Sequence, residues 1–475
     1  MPADLHYLSL DEVARRLKAR KLSSVELTGA MLRRIGEVDS TLGSYATVTA
    51  DRALADAARL DAETEAGTSR GPLHGVPIAV KDLCNTEGVP TAAGMAIHRG
   101  NVPSRDATVV ARLKQAGAVI LGKLQMTEGA YGAHHPSIPA PLNPWNAAYW
   151  TGSSSSGSGA ATAAGLCFAS LGSDTGGSIR FPSTMNGLSG LKPTWGRVSR
   201  AGVFPLAESL DHVGPMARSA LDAAIVLGVI AGADPEDPTA VGLPVPDYAA
   251  SIDQGVRGRR IGLATNMPGL DEDARRALDG AVGALTKAGA AIVEVKLPDG
   301  FDQGARDWVP LCGVEAAVAH DATYPSRASE YGPVLAGLLD HGRRLSAMEL
   351  ARMQLRRAAL TGELNGLLAS VDLLLMPVMG RAVWSTEALL AAGRDPEVVA
   401  ERLRYTAPFD LSGHPTLTLP GGMTADGVPV GFQIVGKAFE EGLILAAGHA
   451  YQRETDWHSR RPPREGRGMR PSHMA

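Results

Sequence analysis

Apolar residues recur at helical spacing near the start of the chain. Val13 and Leu17 follow Ser9-Leu-Asp-Glu12. In such a capping box a serine and a glutamate three residues on satisfy free backbone N–H groups at a helix start. Ser23-Ser-Val-Glu26 repeats the signal before Leu27, Met31, Leu32 and Ile35. The alanine-rich stretch 51–66 predicts a third helix. From Gly75 the pattern changes. Val76–Val80 and Val119–Leu121 are short apolar runs that read as buried strands. Helical stretches lie between and after them, at Ala107–Ala116 and Gly157–Leu166. Later, Ile261–Thr265 predicts a strand, Asp271–Ala288 a helix and Ile292–Val295 another strand. Strands alternating with helices predict an α/β fold. No internal repeat is visible.

Composition narrows the classes. The 475 residues are 44% hydrophobic, enough for a large core. The net charge of −4, with mixed signs, gives no footprint for nucleic acid or a membrane surface. The longest apolar run, Ala223–Ala233, is too short to span a bilayer, and no signal peptide is legible. Cys84, Cys167 and Cys312 are scattered, with no CxxC pair. They suggest neither a disulfide framework nor a metal site, and the cytoplasm is the expected compartment.

Three places carry candidate chemistry. Gly172-Ser-Asp-Thr-Gly-Gly-Ser-Ile-Arg-Phe-Pro182 is a glycine-rich turn beside a hydroxyl. Such a turn can aim several backbone N–H groups at one point, as an acyl-transfer nucleophile requires. Gly152-Ser-Ser-Ser-Ser-Gly157 is a run of four serines, and Lys81 ends the apolar run from Val76. Read singly, these are an ordinary turn, a polar linker and a strand-end lysine reaching solvent. Together they offer a nucleophile, a relay and a base.

Their order, with Gly187-Leu-Ser-Gly-Leu-Lys-Pro-Thr-Trp-Gly-Arg197 and Ser209-Leu-Asp-His-Val-Gly-Pro215, resembles the amidase signature family. The likeness runs from about Leu73 to Ser219 and returns at Asp372–Pro377 and Phe409–Gln433. It implies an α/β/α sandwich: a central mixed β-sheet with helices on both faces. The implied organisation is an N-terminal helical layer (1–70), a signature core (71–254), an insertion or cap shaping the substrate entrance (255–365), a return of the core (366–460) and a disordered tail (461–475).

The resemblance also implies roles. Ser178 is the nucleophile and Lys81 the base, neutral when burial lowers its pKa. Asp82 follows Lys81, but neighbouring strand residues point to opposite faces, so the carboxylate need not touch the amine. The family places a relay serine, with a cis peptide, 24 residues before the nucleophile. That is Ser154, with Ser153 and Ser155 as weaker candidates. The N–H groups of Thr175, Gly176, Gly177 and Ser178 form the oxyanion hole. Asp174 and Arg180 hold the loop, while Ser189 and Lys192 are structural.

The expected activity is amide hydrolysis through an acyl-enzyme, without metal or organic cofactor. Met126, Tyr131, Ile138, Trp145, Phe181 and Phe204 suggest an apolar or aromatic acyl pocket, with no obvious cation awaiting a carboxylate. Small-molecule aryl or apolar amides, anilides and carbamates fit it. The expected partners are such substrates, not nucleic acid or membrane, and a homodimer is allowed. The alternative is an assembly protein resembling the glutamine-using component of the tRNA amidotransferase, although that component favours Gln where Phe181 stands.

Other patterns are weaker. Gly117–Lys123 imitates a phosphate-binding loop, but Leu124 stands where Mg²⁺ needs a hydroxyl. Ser189-Gly-Leu-Lys192 lacks the companion motifs of penicillin-interacting enzymes, and no Gly-x-Ser-x-Gly elbow occurs. His134-His135 has no acidic partner at metal-ligand spacing and reads as loop.

Overall fold

The structure, a computed structural model, describes residues 5–393 and 395–463. The expected disordered tail lies outside the described residues from 464 onward.

Eleven strands form one mixed sheet. They are β1 (Tyr45–Val48), β2 (Pro77–Lys81), β3 (Val119–Leu124), β4 (Ala169–Asp174), β5 (Ser189–Lys192), β6 (His212–Ala217), β7 (Arg260–Ala264), β8 (Ala291–Val295), β9 (Leu373–Pro377), β10 (Thr416–Met423) and β11 (Pro429–Gly436). Their spatial order is β1-β3-β2-β4-β6-β5-β10-β11-β9-β7-β8. β3, β2 and β4 run parallel, as do β9, β7 and β8, and the remaining pairs are antiparallel.

Helices cover both faces, as the alternation along β11 makes plain. Gly431 lies against Thr184 of the helix Arg180–Asn186. The next residue, Phe432, meets Tyr451 of the helix Glu441–Glu454, with ring centroids 4.8 Å apart. Successive strand side chains point to opposite faces, so the two helices sandwich the sheet. Interior strands such as β2, β4 and β9 are buried throughout. The edge strand β8 has only half-buried and exposed positions.

Of the two capping boxes read from the sequence, one forms in full and the other in part. Ser23 and Glu26 complete a reciprocal capping box at the helix Ser24–Leu42. Ser9 accepts from Glu12 N, but the Glu12 carboxylate turns to Arg15 and Arg16 instead. The alanine-rich stretch forms the helix Ala50–Glu65. Residues 255–365 supply β7 and β8 to the common sheet. They also supply the helix Phe301–Ala319, which reaches the candidate site. No helix among the described residues is long and apolar enough to cross a membrane.

The helix Phe301–Ala319 crosses the helix Pro333–Arg344 where Gly313 meets Gly342. A methyl group at position 342 would collide with the Gly313 backbone. Gly342→Ala is therefore expected to push the helices apart and destabilise the fold by about 1–3 kcal/mol, as overpacking typically does. A chemical-denaturation midpoint equal to that of the parent would contradict this close approach.

Candidate active site

β2 and β4 are parallel neighbours, so their C-terminal ends lie at the same edge of the sheet. Lys81 ends β2, and Ser173-Asp174 ends β4. This topology alone brings residues 92 positions apart into contact. Lys81 Nζ lies 2.8 Å from Ser173 Oγ and 2.6 Å from Ser154 Oγ. The Ser153–Ser154 peptide is cis. Ser155 does something different: its hydroxyl bridges the Ser173 backbone, and its N–H donates to the Ser178 carbonyl at 3.3 Å.

Lys81 is fully buried. Desolvation lowers its pKa to about 7, against a weaker pull in the other direction from Cys84, Asp174 and Asp211. Asp82, the first residue past β2, turns away from Lys81. It sits 3.3 Å from Lys123 Nζ and accepts from Ala92 N. The adjacent carboxylate therefore does not hold the Lys81 amine in its charged form.

Asp174 points away from Ser173 and organises the glycine turn. Its carboxylate accepts from the N–H groups of Gly177 (2.6 Å), Ile179 (2.9 Å) and Arg180 (3.2 Å), and from the Arg180 guanidinium. Arg180 also reaches Asp410 and donates to the Thr406 carbonyl at 2.9 Å. All three charged side chains are fully buried. Burial alone would raise the Asp174 carboxyl. The Arg180 charge and hydrogen bonds outweigh that and hold it well below the usual carboxylate range. Burial drives Asp410 the other way, upward. Lys192 backs this cluster, 3.1 Å from His212, and burial lowers its pKa to about 7.

Ser178 is the one partly exposed residue in an otherwise buried stretch, 171–186. Among the described residues, no acceptor is found for the N–H groups of Thr175, Gly176 or Ser178. Gly177 departs from expectation: Asp174 occupies its N–H, so it is not a free oxyanion donor. Its need for glycine has another source. Gly177 has φ of 137°, and an added Cβ would come 2.5 Å from the Phe181 ring. Gly176 lies as close to the Trp308 indole, whose Nε1 donates to the Thr175 carbonyl at 2.6 Å.

The expected pocket residues separate. Phe181 borders the nucleophile turn, and Tyr131 stacks on Trp308 with centroids 6.4 Å apart. Trp145 sits behind, donating to the Asn186 carbonyl, and Met126 is buried in the core. Ile138 is half-buried, outside the contacts that shape the turn. Phe204 lines a cavity of about 340 Å³ with Leu83, Ala130, Asp211 and Ser173, the residue whose hydroxyl meets Lys81. His134 bonds Ser156, and burial lowers its pKa to about 4. Among the described residues, no His, Cys, Asp and Glu group is arranged to hold a metal.

Sequence reasoning did not find Ser173, Trp308, Asp410 or Arg402. Ser173 was legible in principle, since two residues at the ends of parallel strands meet. Arg402 is a cation that borders the aromatic residues beside the turn. Its guanidinium lies 5.7 Å from the centroid of Trp150, which itself packs on Phe181.

Comparison with known proteins follows the same lines. The family model "Amidase" matches residues 26–445. AmiD of Mycobacterium tuberculosis, a protein assigned as an amidase, is 51% identical over 96% of both chains. One chain of the glutamyl-tRNA(Gln) amidotransferase of Geobacter is 39% identical over 96% of this chain and 99% of its own. The crystal structure of the native peptide amidase of Stenotrophomonas maltophilia superposes with a TM-score of 0.85 at 32% identity, covering 97% of this chain and 99% of that one. With that match spanning most of its length and those relatives covering nearly all of it, the chain belongs to the amidase signature family.

Proposed function

We propose that this amidase hydrolyses apolar or aryl amides, including anilides, and carbamates through a Ser178 acyl-enzyme, with Ser154 and Lys81 completing a Ser–Ser–Lys triad. The observation that carries this reading is the buried Lys81 amine, lowered to about 7 and 2.6 Å from Ser154. A serine hydroxyl needs a base to become a nucleophile, and a lysine can serve only when neutral. Burial supplies that neutrality near physiological pH.

In this mechanism Ser178 Oγ attacks the substrate carbonyl carbon. Its proton passes to Ser154, whose own proton passes to Lys81. The N–H groups of Thr175, Gly176 and Ser178 receive the developing oxyanion; each such donor is worth about 3 kcal/mol of barrier. Lys81 returns the proton through Ser154 to the leaving nitrogen as the C–N bond breaks. Water, activated by the same relay, then releases the acid and regenerates Ser178. Ser173, the second hydroxyl on Lys81, fixes where the amine sits. The three cysteines are buried and free, in keeping with a cytoplasmic setting.

The likeness to an amidotransferase component supports a second reading, in which the chain works with partner chains on glutamine. Substrate preference and native mass separate the two.

Ser178→Ala is expected to abolish both turnover and fluorophosphonate labelling while leaving the fold intact. Peptide mapping that puts the label elsewhere overturns the nucleophile assignment.

The acylation rate of the parent enzyme should rise with pH through an inflection near 7, because protonated Lys81 cannot accept a proton. Lys81→Ala should lose at least about a hundredfold and the inflection with it. Ser154→Ala should be similarly severe, and Ser153→Ala and Ser155→Ala milder. An inflection that persists without Lys81 removes it from the role of base.

Aromatic walls reward apolar acyl groups at about 25 cal/mol per Å². Glutamine offers little such surface and brings an ammonium that such walls do not solvate. An anilide should therefore exceed glutamine in kcat/KM by at least about a hundredfold, which corresponds to about 2.7 kcal/mol. Comparable rates on one preparation, or faster glutamine hydrolysis, favour the amidotransferase-like reading.

A further inference from the structure

Two chains of aromatic contacts leave the nucleophile turn and converge on one cation. The first runs from Gly176 to the Trp308 indole, and from Trp308 to Tyr131 at 6.4 Å with an interplanar angle of 18°. The second runs from Gly177 to Phe181, and from Phe181 to Trp150 at 5.8 Å. Arg402, in the helix Pro396–Leu403, closes the circuit. Its guanidinium lies over Trp150, and Tyr131 is within its electrostatic reach. The two chains of contacts thus link the turn that carries Ser178 to a positive charge at the side remote from it.

Among the described residues, no carboxylate pairs with that charge. Neighbouring arginines have carboxylates: Arg306 pairs with Glu397, and Arg404 with Asp302. Among the described residues, no hydrogen bond or ion pair reaches the Arg402 guanidinium, although Arg402 is no more than partly exposed. Burial pulls its pKa below the ordinary arginine value, the mark of a desolvated charge. An arginine cannot escape this cost by losing its proton, and buried charges are ordinarily paired. With one face over Trp150, its in-plane donors remain suited to a planar, two-oxygen acceptor.

We propose that Arg402 is a specificity-determining residue of the acyl pocket, and that it receives a carboxylate at the far end of the substrate's acyl group. The proposal rests on the Ser178 reading and refines its substrate class. The aromatic walls hold an apolar or aryl body, and Arg402 selects those bodies that end in an anion.

The test compares 4-nitroanilides in pairs: monoanilides of straight-chain diacids of graded length, and anilides of the matching monoacids. At the best length, the acid-ended substrate should exceed its neutral partner in kcat/KM by at least about tenfold, in line with the strength of close charge pairs. Arg402→Met should collapse that ratio to about one or below, and Arg402→Lys should restore part of it. Calorimetric binding of the same pairs to Ser178→Ala, and to Ser178→Ala with Arg402→Met, gives a readout independent of turnover. A wild-type preference for the neutral member at every length overturns the proposal, as does a ratio that Arg402→Met leaves unchanged. If fluorophosphonate labels a residue other than Ser178, the catalytic reading fails instead, and the binding pairs still decide the role of Arg402.

Discussion

One guanidinium, Arg180, stands between two buried carboxylates, and the active-site turn depends on it. Asp174 comes from the end of β4 and Asp410 from the helix Ala407–Leu411, 230 residues from Arg180. With one positive charge between two acids, the pair resolves unequally. Asp174 remains ionised, and burial pushes Asp410 upward. The ionised carboxylate can then draw in three backbone N–H groups, those of Gly177, Ile179 and Arg180. This wraps the turn around Asp174 and leaves the Ser178 hydroxyl at the exposed point. Removing one partner from such a buried cluster costs about 3–5 kcal/mol, because the remaining charge has no water to turn to. The same guanidinium ties the turn to the Thr406 carbonyl, so the last quarter of the chain holds the catalytic loop in shape.

The proposed base obeys a simpler constraint. Lys81 ends β2 and Asp82 opens the turn after it, and each meets a different partner. Asp82 finds Lys123 on β3, while Lys81 finds only hydroxyls. A lysine surrounded by neutral oxygens has hydrogen bonds but no countercharge. Desolvation therefore dominates its titration, and the amine loses its proton near 7. The side chain that looks least compatible with catalysis in the linear sequence turns to another partner.

How much was legible follows from the range of each interaction. Capping boxes, apolar runs and the motif order depend on residues a few positions apart. From them came the helices at 24–42 and 50–65, the strands at 77–81 and 119–124, and the candidate residues Lys81, Ser154 and Ser178. The contacts that complete the site span long separations: Trp308 to Thr175, Asp410 to Arg180, Arg402 to Trp150. No local pattern marks them. The N–H of Gly177 was misassigned for a related reason. A Gly-Gly-Ser turn announces that backbone donors converge, but not which of them a neighbouring carboxylate has already claimed.

This difference in range separates chemistry from selectivity. The proposed reacting groups come from one compact stretch, between Lys81 and Ser178, where parallel strand ends meet. The walls come from elsewhere: Trp308 from the helix Phe301–Ala319, Arg402 from the helix Pro396–Leu403. Of these, the helix Phe301–Ala319 touches the turn directly, through Trp308 set against Gly176, where an added Cβ would collide. The turn can therefore keep its geometry only if the wall residues keep their distance from Gly176 and Gly177. Beyond that contact the walls are free to differ, because neither Tyr131 nor Arg402 bears on the hydrogen bonds that Asp174 makes. On the proposed reading, substrate choice can thus change at positions 131, 150 and 402 without disturbing the proposed base or the glycine turn. A family built this way can share one reaction while accepting very different acyl groups.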